Sequence, residues 1–71
     1  MSNKDLLEAE LKLQYKSMLE EGKSIEAAVS EAVYIVTGEE LTQDELDVFE
    51  DYDETGAFQD MLRWVIKKII E

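Results

Sequence analysis

Seventy-one residues with no Cys and no His carry seven Lys and Arg against eighteen Asp and Glu, a formal charge of −11. A chain this short makes one domain that buries only about 60% of its unfolded surface, and here it must do so without disulfides, ordinary zinc sites, thiol nucleophiles or imidazole bases. Hydrophobic residues at 45% are too many for a disordered acidic tail, and no apolar run approaches the ~20 residues of a membrane span. The chain opens without a charged-then-apolar leader, so a cytoplasmic protein is expected.

With no Pro and only three Gly, the chain reads as four helices. The expected fold is all-α, a small compact bundle forming a single acidic domain over residues 1–71. Ser2 can cap the first helix, with Asp5 reaching back to the cap amide. Leu7, Leu11, Tyr15, Met18 and Leu19 recur at helical spacing along residues 3–21, while Leu6, Ala9 and Leu13 make a smaller patch on nearly the opposite side. Gly22 supplies the left-handed residue that ends this helix. Ser24 caps the second, which runs to about Val36 before Gly38. Its face is Ile25, Val29, Ala32 and Val36, flanked by Ala28, Val33 and Ile35. The β-branched run Val33–Thr37 has strand character but no strand to pair with, so it too is predicted helical.

The clearest start signal belongs to helix three. Thr42 and Glu45 form a capping box, and Leu41 with Leu46 forms the matching hydrophobic staple. This helix is predicted to run through about Tyr52, with Leu46, Val48, Phe49 and Tyr52 on one side and acids on the other. Helix four is predicted from about Ala57 to Ile70, after a turn at Gly56. Its wide apolar arc makes it either the central element of the bundle or an oligomer interface. The core is expected at Leu11, Val29, Phe49, Phe58, Leu62 and Val65, the centres of the apolar arcs.

The charge is unevenly spread. Between Lys23 and Arg63 lie twelve acids and no base, while the two ends together hold seven bases and six acids. Glu40, Asp44, Asp47 and Asp51 step by three and four residues, so on one helix each would rise by roughly 4.5–6 Å. Phosphates on one strand of duplex DNA recur every ~3.4 Å of helix axis. Glu39, Glu50, Asp53 and Glu54 extend the stripe, giving a charge density comparable to a nucleic-acid backbone. A solubilising face would mix signs; this one does not.

Three other chemistries are weaker. Asp51, Asp53, Thr55, Gly56 and Phe58 resemble the opening of an EF-hand calcium loop, which would place oxygen ligands at its first, third and fifth positions. The position that should supply a bidentate Glu is Leu62, so neither a metal nor a cofactor is expected. Carboxylate pairs can cleave glycosides, but only in a cleft that 71 residues of helix have little material to build; no catalytic residue is assigned. Ser17, Ser24 and Ser30 follow Lys16, Lys23 and Val29, so none has the Asp-Ser-Leu context of a carrier protein's attachment site.

The expectation is therefore a non-enzymatic acidic binding protein, an inhibitor that occupies the basic nucleic-acid-binding surface of a partner protein. The analogy is to DNA-mimic inhibitors, many of them phage-encoded blockers of restriction or CRISPR nucleases, and it is one of size and charge only. The partner-binding residues would be Glu40, Asp44, Asp47, Glu50, Asp51, Tyr52, Asp53 and Glu54, with Tyr52 as the aromatic anchor. No direct contact with nucleic acid or membrane is expected. The alternative is a small helical adaptor that binds a partner through an apolar groove, the acids serving only to steer association. Leu6, Leu13, Trp64 and Ile70 exceed what one core needs, and a homodimer would use them.

Overall fold

The computed structural model describes residues 3–71 and is all-α. Helix α1 spans Asn3–Glu20, α2 Ile25–Thr37, α3 Gln43–Asp47 and α4 Glu54–Val65; a 3-10 turn, Val48–Asp51, follows α3, and a π turn, Ile66–Ile70, ends α4. Ser2, the expected cap of α1, lies outside the described residues. Among those described, no helix is long and apolar enough to cross a membrane.

Local chemistry sets the first two helices. Gly22 sits at φ 90; its N–H donates to the Leu19 carbonyl at 3.0 Å and that of Lys23 to Met18 at 3.2 Å, the paired bonds of a Schellman stop. The chain then reverses, and Ser24 caps α2 by accepting from the Ala27 N–H at 3.2 Å. Val33–Thr37 is helical, as its lack of a pairing strand implied. Thr37 Oγ1 donates to the Val33 carbonyl at 2.8 Å and accepts from the Glu39 N–H at 3.1 Å. Gly38, at φ 78, closes the helix.

Helix α2, not α4, is the centre of the bundle: it packs against α1, α3, the 3-10 turn and α4. Ala28, Val29, Ala32 and Val33 are fully buried. The inward face is thus turned from the predicted one, with Ile25 and Val36 at its half-buried margins and Ile35 exposed. The small Ala28 and Ala32 let neighbours approach on two sides, which a wide apolar arc with large side chains does not allow.

Helix three departs from prediction. Its α portion ends at Asp47 and the chain tightens into the 3-10 turn, where residues three apart eclipse. Leu46, at the end of α3, is half-buried against the core. Phe49 is 2% exposed in the core, whereas Val48 faces outward at 50% and Tyr52 at 36%. Helix α4 starts three residues earlier than predicted: Asp53 caps it by accepting from the Gly56 N–H at 2.7 Å, so Gly56 lies in the first turn rather than before it.

Of the expected core, Leu11, Val29, Phe49 and Val65 are buried, while Phe58 and Leu62 are half-buried against it. Met61 fills the centre instead. Tyr15 is also inside, because its hydroxyl donates to the Glu54 carbonyl at 2.7 Å and so keeps a partner. Leu6, Leu13, Ile69 and Ile70 remain outside.

Candidate acidic interface

The predicted partner-binding carboxylates are all exposed, but they do not share one helix face. Glu40 lies in the segment before the Thr42 cap, Asp44 and Asp47 on α3, Glu50 and Asp51 on the 3-10 turn, and Asp53 and Glu54 at the start of α4. A 3-10 turn rises about 2.0 Å per residue against 1.5 Å for an α-helix. The regular steps expected of a continuous helix are replaced by a bent acidic edge across three elements. Glu39 adds to it from the same connecting segment. Tyr52 sits beside this edge, its ring held edge-on to Phe49 at 5.8 Å between centroids.

Two of these acids also have structural duties. Asp53 caps α4, and Asp47 accepts from Gln43 Nε2 at 2.8 Å. The segment that resembles a calcium loop is not a loop: Thr55, Gly56 and Phe58 are helical, and the Asp53 carboxylate holds a helix amide.

Glu45 stands apart from the display. The Thr42 N–H donates to its Oε1 at 2.8 Å and its own N–H donates to Thr42 Oγ1 at 3.2 Å, completing the capping box. Its other oxygen accepts from Trp64 Nε1 at 2.5 Å. The Thr42 amide first, then the Trp64 indole, hold the Glu45 carboxyl below its ordinary range.

Sequence reasoning missed Glu26. Reaching from the first turn of α2, its carboxylate converges with those of Asp47 and Glu50, with oxygens of all three within 4.8 Å of one another. Partial burial first, then Glu50, then Asp47 raise the Glu26 pKa above its ordinary value. Three carboxylates of this kind could supply part of the oxygen shell of a divalent cation. The sequence carried no signal for the cluster, since it joins two elements through tertiary packing. Tyr34, 57% exposed, was also passed over; it flanks a depression lined by Ser30, Glu31, Ile35 and Glu40.

No base neutralises the edge. The ion pairs among the described residues are Lys23–Glu31 at 2.7 Å and Arg63–Asp60 at 3.6 Å, and neither involves a predicted partner-binding residue. Comparison with protein-family models, curated proteins and solved structures finds no match.

Proposed function

We propose that this protein is a non-enzymatic acidic binder that occupies the basic nucleic-acid-binding surface of a partner protein, in the manner of a DNA mimic. The observation that carries the reading is the convergence of Glu26, Asp47 and Glu50 within a stretch free of bases. Like charges this close are destabilising in the free protein, and a partner's Arg or Lys relieves them. The cluster is therefore poised for a cationic surface rather than for solvent alone. Asp44, Asp51, Asp53 and Glu54 extend the field along the edge, and Tyr52 gives it an aromatic contact. Inhibition of a restriction or CRISPR nuclease by a phage protein is one setting for such a surface.

The test is capture from a nuclease-treated lysate of a candidate host. The reading expects the captured proteins to bind nucleic acid and to be displaced by duplex DNA. It also expects capture to weaken steeply with salt, and to be lost in the triple variant Asp44→Asn, Asp47→Asn, Asp51→Asn. A well-folded triple variant that captures the same proteins as the parent refutes the reading.

A further inference from the structure

We propose that the groove between α1 and α4 docks an acidic amphipathic helix of a partner protein. Two adjoining depressions, which share Glu8 and Gln59, form this groove. Its rim holds five of the chain's seven bases, Lys4, Lys12 and Lys16 from α1 with Arg63 and Lys67 from the other wall. The groove's own acids are Glu8, Glu54 and Glu71, so the local sign is positive in a protein whose net charge is −11. Among the described residues, Arg63 alone of the five bases has an ion pair, a 3.6 Å contact to Asp60 made with 77% of its side chain exposed.

The floor is apolar. Leu19, Phe58, Leu62 and Ile66 are each half-buried there, so an occupant removes apolar surface from water while meeting charges at the rim. The α1 wall from Lys4 to Leu19 is about 22 Å long at 1.5 Å per residue, the length of about four helical turns. Apolar floor, flanking bases and that length match a helix with an apolar stripe between acidic flanks. Duplex nucleic acid presents no such stripe, and a membrane surface does not enter a groove. The proposal differs from the DNA-mimic reading in the charge it concerns and in its α1 wall, although Glu54, at the start of α4, borders both surfaces.

The test uses the full chain and a designed, fluorescein-labelled helical peptide of about 18 residues, with a Leu stripe flanked by Glu. Fluorescence anisotropy is expected to show saturable binding that weakens about tenfold in Lys12→Glu/Lys16→Glu, while the triple Asn variant of the acidic edge binds as the parent does. A Leu-to-Ser peptide should not bind, and a Glu-to-Gln peptide should bind more weakly. Both lysines are exposed, so the melt of the variant should match the parent; if it does not, Lys12→Gln/Lys16→Gln replaces it with the same expected direction. No saturable binding, or equal affinity in the lysine variants, overturns the proposal. So does sedimentation showing that the groove is filled by a second copy of the chain, or displacement of the peptide by duplex DNA or phosphatidylserine vesicles.

Discussion

Glu45 is the residue with the most consequences. One carboxylate oxygen closes the capping box and the other accepts from Trp64, so Glu45→Gln keeps the first bond and turns its amide nitrogen toward the indole donor. A loss of about 1 kcal/mol in chemical denaturation is expected, and Thr42→Ala, which removes the cap itself, should lose a similar ~1 kcal/mol. The two perturbed glutamates act on stability in opposite directions. Glu45 has a lowered folded pKa, so its contribution is present above the ordinary value and lost as pH falls through the folded one. Glu26 has a raised folded pKa; it weakens the fold above that value, and the penalty disappears as pH falls through it toward the ordinary 4.5. Denaturant melts against pH should therefore show Glu45→Gln losing part of the acid-side decline and Glu26→Gln gaining stability at neutral pH. The box, the Gly22 and Gly38 stops and the Ser24 cap were readable because each is completed within a few residues of chain. Glu26 and Trp64 find partners more than fifteen residues away, and no local pattern encodes that.

At the scale of elements, periodicity located four helices but assumed that each keeps one period. The segment after Thr42 breaks that assumption by tightening to 3-10, with Phe49 held in the core and Val48 turned out. Phe49→Ala should lose about 3–5 kcal/mol, close to the whole stability of a small domain, whereas Val48→Thr should leave the thermal melt within about 0.5 kcal/mol of the parent. On a continuous α-helix the second change would be damaging too, so the pair of variants tests the switch. The start of α4 was misplaced for a related reason. Gly56 reads as a turn residue, yet Asp53 three residues earlier provides the cap, and the helix begins as soon as that bond is made.

For the whole molecule, the sequence showed that charge is segregated but not how the fold arranges it. The predicted stripe becomes a bent edge, and five of the seven bases line the α1/α4 groove on a body of 30 × 25 × 20 Å. Such a molecule is under internal repulsion that salt relieves. Raising NaCl from about 0.02 to about 0.3 M should increase the thermal midpoint by a few degrees. The variant Asp44→Asn, Asp47→Asn, Asp51→Asn should start higher in low salt and respond less. An unchanged midpoint across that range would mean that the edge is too well solvated to oppose folding. The closeness that Ala28 and Ala32 allow was legible in their size, but the wide apolar arc of α4 competed with it as the sign of the central helix.

The bond between Trp64 and Glu45 also makes the protein its own optical probe. The chain has one tryptophan, half-buried, with Lys68 Nζ 5.7 Å from the centre of its ring. Its emission comes from a single environment at the junction of the acidic segment and α4. Unfolding exposes the indole to water and should move the emission to longer wavelength, whereas Glu45→Gln changes the partner of the indole N–H in the folded protein. The two changes are thus separable in an unlabelled sample, in which Trp64→Phe provides the dark control.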